Sequence, residues 1–189
     1  MIRILKVIAL LVFVFAASSN LSAQSKSPLS EIKSYTAEVD RFVKITKKHR
    51  IFADVSTEDD KNEIWKEFKN KKELEDSEAY TQAFVWTKAG KVIAANFMFT
   101  SPSGDWAQYI NYYFRADGTV AKIAAELNTF YGDISVIRDR YYNSDGKLVK
   151  STRKFLDLKT RKPKKQTDVM IETVPIYTKV SALPFHKFL

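Results

Sequence analysis

Residues 90–146 read GKVIAANFMFTSPSGDWAQYINYYFRADGTVAKIAAELNTFYGDISVIRDRYYNSDG, and this stretch decides the fold. The chain has five glycines, Gly90, Gly104, Gly118, Gly132 and Gly146, each fourteen residues after the one before. Glycine takes up positive φ without steric penalty, so it collects in tight turns. Between these glycines lie runs rich in Val, Ile, Phe, Tyr and Trp. Turn residues at regular intervals between alternating apolar runs predict an antiparallel β-meander. The expected strands are 79–88, 91–100, 106–115, 119–129, 134–142 and 147–157. The turns around Gly90, Gly118 and Gly146 recur every twenty-eight residues and mark one end of the sheet. Those around Gly104 and Gly132 mark the other end. Strands of about ten residues are longer than usual, and long strands in a meander curl.

The stretch Tyr142-Asn143-Ser144-Asp145-Gly146-Lys147-Leu148 resembles the hairpin signature of tyrosine-aspartate and related glycine-turn repeats in bacterial surface proteins. The likeness covers one hairpin, and the fourteen-residue period is not theirs, so it reflects shared turn chemistry rather than kinship.

Beyond Asp157 the pattern decays. Thr160-Arg161-Lys162-Pro163-Lys164-Lys165 is a basic turn where a sixth glycine would fall, and residues 169–174 form a candidate seventh strand. The meander therefore spans 79–174. The tail, 175–189, holds Ile176, Tyr177, Val180, Leu183, Phe185 and Phe188. It is too apolar to hang in solvent and is expected to pack on the same single domain, along the sheet edge or under a helix.

Towards the N-terminus the period becomes helical, and residues 29–75 read as a helical part. Leu29, Ile32, Val39, Phe42 and Val43 share one face of an expected helix at 29–48, with Ser27 or Ser30 as its cap. Residues 51–55 are a short apolar strand or connector. Ser56-Thr57-Glu58-Asp59-Asp60 resembles a capping box ahead of Ile64, Trp65 and Phe68, which predicts a second helix at about 58–75. Residues 24–28 are a polar linker. At 1–23, Arg3 and Lys6 precede an apolar run of eleven residues and a Leu21-Ser22-Ala23 site. This reads as a secretory signal peptide, cut after Ala23 or a few residues earlier. The alternative, an uncleaved anchor, suits the run poorly because it is short for a bilayer. No second long apolar segment follows, so no transmembrane segment is expected in the mature chain, and a periplasmic or secreted location is.

Loss of Arg3 and Lys6 would lower the formal charge from +9 to +7. A basic exported protein favours anionic partners: lipid headgroups, acidic glycans or envelope proteins, with nucleic acid not expected. Alternation places Lys122, Arg138, Arg140, Lys150 and Lys154 in a basic strip beside Tyr112. In the simple hairpin register Lys122 lies across from Arg140, and Arg140 from Lys150. Like charges directly opposite one another are unfavourable unless an anion neutralises them. A solvated surface with Glu126 as counter-charge is the bland reading of the same residues.

Signatures of chemistry are missing from the sequence. There is no cysteine, which excludes disulfides, thiolate catalysis and Cys-based zinc sites. The two histidines, His49 and His186, have no partner at metal-ligating spacing. His49 reads as a helix-end residue and His186 as a packed tail residue. Ser30-x-x-Lys33 and Ser144-x-x-Lys147 match a bare Ser-x-x-Lys pattern, but the second sits in a hairpin turn rather than on a helix. Glycines fourteen apart cannot form a phosphate-binding loop. Glu126 and Asp139, the one carboxylate pair on neighbouring strands, are expected on opposite faces.

The sequence thus predicts an α+β fold: two N-terminal helices packed on a curled antiparallel β-meander of six or seven strands. The expected function is non-catalytic binding of a lipid, acidic glycan or other anionic envelope ligand on the sheet, without cofactor or metal. A structural or protein–protein module of the envelope, using the tail or an edge strand, is the alternative. A hydrolase with an unrecognised site is the remote one.

Overall fold

The computed structural model describes residues 27–165 and 175–189. The expected signal peptide and the candidate strand at 169–174 lie outside the described residues. The fold is α+β, with one eight-stranded antiparallel sheet in the order β2-β1-β3-β4-β5-β6-β7-β8 and one main helix. The helix is α1 (Pro28–Ile45), and the first two strands are β1 (Arg50–Asp54) and β2 (Trp65–Phe68). A short helix, α2 (Lys71–Glu75), precedes β3 (Thr81–Lys88), β4 (Lys91–Thr100) and β5 (Trp106–Phe114). The sheet ends with β6 (Val120–Thr129), β7 (Ile134–Tyr142) and β8 (Leu148–Asp157). Among the described residues, the linear order leaves β2 and β8 as edges.

The six strands expected from the glycine period correspond to β3–β8, and all five glycines sit at positive φ. The first turn also puts Ala89 at φ 50 beside Gly90 at φ 74. Positive φ at both central residues is the hairpin geometry that Asn-Gly and Asp-Gly serve best. An L-residue in the left-handed region costs about 1–2 kcal/mol, and Asn bears less of this than Ala. Ala89→Asn is therefore expected to raise the melting temperature; an unchanged or lower value in a thermal melt contradicts this account of the turn.

Of the second expected helix, at 58–75, only the short α2 at Lys71–Glu75 is formed. Thr57 N–H and Oγ1–H both donate to Asp60 Oδ2, at 2.7 and 2.9 Å, closing a local turn. Asp54 Oδ1 accepts from Ser56 N and Ile64 N, drawing the loop ends together. Trp65 is buried while Lys66 and Glu67 are exposed, and the segment pairs with β1, Ile51 opposite Phe68 and Asp54 opposite Trp65. Arg50 fastens this edge by a bidentate pair with Glu67, at 2.7 and 2.6 Å. The capping-box geometry occurs later: Asn70 Oδ1 accepts from Glu73 N, and Glu73 Oε2 accepts from Lys69 N. The apolar strand Ile51-Phe52-Ala53 needs a partner on each side, and that tertiary demand overrides local helix preference.

The sheet is covered on both faces by different elements. On the helix face, Ile32, Thr36 and Val39 of α1 are buried at helical spacing. They meet Ile93, Ala94, Ala121, Tyr113 and Tyr141. Ser27 caps the helix and Pro28 opens it. The Tyr35 hydroxyl donates to Phe114 O, and the Tyr113 hydroxyl to Asp40 Oδ1 at 2.8 Å.

On the opposite face, the tail face, lies the C-terminal segment. It runs neither along the sheet edge nor under a helix, as the sequence suggested, but across the aromatic centre of the sheet. Leu183 and Phe185 are fully buried there among Phe52, Trp65, Phe97, Tyr112 and Phe114. Two short 3₁₀ turns, Val180–Ala182 and His186–Phe188, shape it. Backbone bonds from Val120 N to Thr178 O and from Val180 N to Gly118 O pin it to the β5–β6 turn.

Burial pushes the phenols of Tyr112, Tyr113 and Tyr177 above the ordinary tyrosine value, Tyr177 to about 12. The neutral form is the one that the fold favours. Their contribution to stability is whole below the unfolded value of 10.0 and is lost as pH rises through the folded values, about 12 for Tyr177. Denaturant midpoints measured across this range are expected to fall together with phenolate formation. Phenolates appearing at the ordinary value in the folded protein contradict this.

Candidate anion-binding face

Three glycine turns at one end of the sheet are each followed by an extra residue. Trp86 faces Ala94 but Thr87 faces Val92, so Ile93 is bulged. Tyr113 faces Lys122 but Phe114 faces Val120, which bulges Ala121. Tyr141 faces Lys150 but Tyr142 faces Leu148, which bulges Val149. Ile93, Ala121 and Val149 repeat the twenty-eight-residue period of the turns themselves. A bulge opposes two residues to one and switches the side to which later residues point.

This splits the basic strip expected from the sequence. Lys122 lies opposite Tyr141, not Arg140, and Tyr141 lies opposite Lys150. Arg140 faces Ile123 on one side and Ser151 on the other. Lys122, Lys150 and Lys154 therefore belong to the helix face. Lys122 is neutralised there by Asp139 at 3.1 Å and packs over the rings of Tyr113 and Tyr141. Lys150 and Lys154 are exposed on the edge strand β8, where charge discourages pairing with another chain. Glu126 and Asp139 are on the same face, not opposite ones, because Glu126 pairs with Ile137 and Ala124 with Asp139. Each carboxylate is occupied, Glu126 by Arg161 at 2.9 Å and Asp139 by Lys122.

Arg138 and Arg140 remain together on the tail face, and the structure adds Arg153, which sequence parity had not singled out. Arg138 stands directly opposite Arg153, with Ala125 on its other side. Behind the arginines lies an apolar floor of Ile123, Ala125, Leu127 and Val136, closed at one end by Gln108. Arg153 stacks over Phe155 with its guanidinium carbon 4.6 Å from the ring centroid. Among the described residues no carboxylate lies within 4.0 Å of any of these three guanidiniums. Partial burial, then the Arg140 and Arg153 charges, push the Arg138 guanidinium below the ordinary arginine value.

Tyr112 is on this face but 1 % exposed, and its hydroxyl donates to Pro175 O. It is a core residue that ties the tail to the sheet, not a ligand contact. The depression bordered by Arg138 and Arg140 holds only about 20 Å³ of internal space, too little to enclose a ligand. Chemically, the patch offers planar donors suited to carboxylate, phosphate or sulfate, next to apolar surface.

Elsewhere, a cleft of about 530 Å³ lies between the Gly90 and Gly118 turns and the tail. It mixes Lys91, Lys179 and His186 with Asp117, whose carboxylate is already engaged by Thr119. His49 packs against Phe84 and Trp86, and His186 Nδ1 contacts Leu183 O. No group of three or more metal-ligating side chains occurs among the described residues. No family model, curated protein or solved structure matches the chain.

Proposed function

We propose that the chain is an exported, non-catalytic protein that binds an anionic ligand on the tail face through Arg138, Arg140 and Arg153. The observation that carries this reading is Arg138 opposite Arg153, with Arg140 beside them and no carboxylate partner among the described residues. Like charges paired across strands cost stability in the absence of a neutralising anion. The floor of Ile123, Ala125, Leu127 and Val136 favours a ligand with an apolar part, a lipid ahead of an acidic glycan. Export rests on the N-terminal sequence pattern. Burial of Leu183 and Phe185 in the core weighs against the alternative in which the tail contacts a partner.

General basicity would also hold such a protein on an anionic matrix, so the test compares two substitutions of equal charge. Arg138→Gln on the tail face and Lys154→Gln on the helix face each remove one positive charge. Retention on immobilised alkyl phosphate is expected to shift to markedly lower salt for Arg138→Gln and little for Lys154→Gln. Equal shifts would leave only non-specific attraction and overturn the site. Native mass spectrometry of the purified protein should show a retained anionic amphiphile.

A further inference from the structure

The β6–β7 turn carries side chains that turn chemistry does not require. Tight turns select Gly, Asn, Asp, Ser and Pro. Here Thr129-Phe130-Tyr131-Gly132-Asp133 leaves Phe130 67 % and Tyr131 72 % exposed, side by side at the sheet's end. The backbone beneath them is held from both sides. Phe130 N donates to Asp105 O of the neighbouring turn, and Tyr131 N to Thr129 Oγ1. From the loop after β8, Leu158 N donates to Asp133 O, and Lys164 Nζ donates to Gly132 O at 2.6 Å and to Asp133 O at 3.1 Å. The two rings are thus presented on a fixed support.

The loop that clamps this turn is the basic run noted in the sequence. Arg161 and Lys164 are tied to Glu126 and Asp157, at 2.9 and 3.9 Å. Lys159, Lys162 and Lys165 are exposed and have no carboxylate within 4.0 Å among the described residues. Among the described residues Asp133 and Asp105 are the acids at the tip itself, and Asp105 accepts a hydrogen bond from Ser103. The unpaired lysines outnumber them. Aromatic rings settle at the headgroup level of a bilayer, and each lysine near an anionic surface adds attraction.

We propose that the β6–β7 turn is a membrane-docking tip. Phe130 and Tyr131 enter the headgroup region of an anionic bilayer, and Lys159, Lys162 and Lys165 rest against its phosphates. This does not depend on the arginine face, since no residue is shared.

The test is sedimentation of the protein with phosphatidylcholine vesicles, with and without phosphatidylglycerol. Wild-type protein is expected to bind the phosphatidylglycerol vesicles, with affinity falling as salt rises. Phe130→Ser with Tyr131→Ser is expected to weaken binding by about tenfold or more, since two aromatic side chains lose their burial. Lys159→Gln, Lys162→Gln and Lys165→Gln together should remove most of the salt dependence. All these positions are exposed, so folding is checked simply by an unchanged thermal melt. A Phe130→Trp variant reports directly, with tryptophan emission shifting to the blue on vesicle binding.

Unchanged binding of the double serine variant overturns the proposal. So does wild-type protein that ignores vesicles, including protein that instead self-associates through these rings. Lys48→Gln, which removes one exposed charge outside both the tip and the arginine face, is expected to leave vesicle binding intact. If that substitution weakens binding as much as the tip variants do, the attraction is general and the tip is not the docking element.

Discussion

Phe185→Ala is expected to destabilise the protein by about 3–5 kcal/mol, the usual cost of deleting a fully buried phenyl ring. That is a large share of the roughly 5–15 kcal/mol that separates folded from unfolded domains. For a chain of this size the melting temperature should fall by on the order of 10 °C. Phe185 is 0 % exposed; its ring stacks on Phe52 at 4.4 Å and meets Trp65 at 5.0 Å and Phe97 at 5.5 Å. These neighbours come from β1, β2 and β4, so the cavity left behind has rigid walls that cannot collapse. Deleting residues 175–189 should be worse, because Leu183 is lost with Phe185 and the Tyr112 hydroxyl loses Pro175 O. The truncated protein is expected to lose its cooperative melt. A truncated chain that melts like the full one would make the segment an accessory arm, which its burial contradicts.

Arg153→Glu is expected to abolish anion binding without lowering ligand-free stability. The substitution sets a carboxylate directly across from Arg138. Opposite charges across an antiparallel pair stabilise by about 0.2–1 kcal/mol, which offsets the lost stacking on Phe155. The same carboxylate would neutralise Arg138 and repel an incoming anion. Each charge-assisted hydrogen bond contributes about 1.5–3 kcal/mol, so losing one or two of them weakens binding by at least about tenfold. Lys154→Glu, one residue along on the other face, makes the same change in net charge and should leave binding nearly as it was. A stability loss in Arg153→Glu, with binding retained, would mean that Arg153 serves the strand and not a ligand.

The strands of the meander could be read from the sequence because their punctuation is local. A glycine at positive φ needs only its own turn, and the alternation between glycines needs only its own strand. Helix α1 was legible for the same reason, through Ser27 and the spacing of Ile32 and Val39. Residues 58–75 were not. Thr57 and Asp60 satisfy each other, and the value of Trp65 lies in a partner, Phe185, far away in the chain. The tail's apolar character was visible, but the face it covers was decided by long-range contacts with Gly118 and Val120.

The site was half legible. Arg138 and Arg140 are two apart on one strand, so local alternation keeps them together. Lys122, Lys150 and Arg153 depend on parity carried across a turn, and the bulges at Ala121 and Val149 reverse it. Counting the bulge, Arg153 follows from Phe155, its same-face neighbour two residues on. Tyr112 failed for another reason: alternation predicts the face of a tyrosine but not whether a tail covers it.

The three arginines are expected to form one anion site. Calorimetric titration of dodecyl phosphate, with dodecanol as the uncharged comparison, measures this in wild-type protein and in Arg138→Gln. Saturable binding of dodecyl phosphate is predicted, weaker at high salt, absent for dodecanol and reduced by about tenfold or more in Arg138→Gln. Binding of equal strength in both proteins, or no binding of dodecyl phosphate by the wild type, would contradict it.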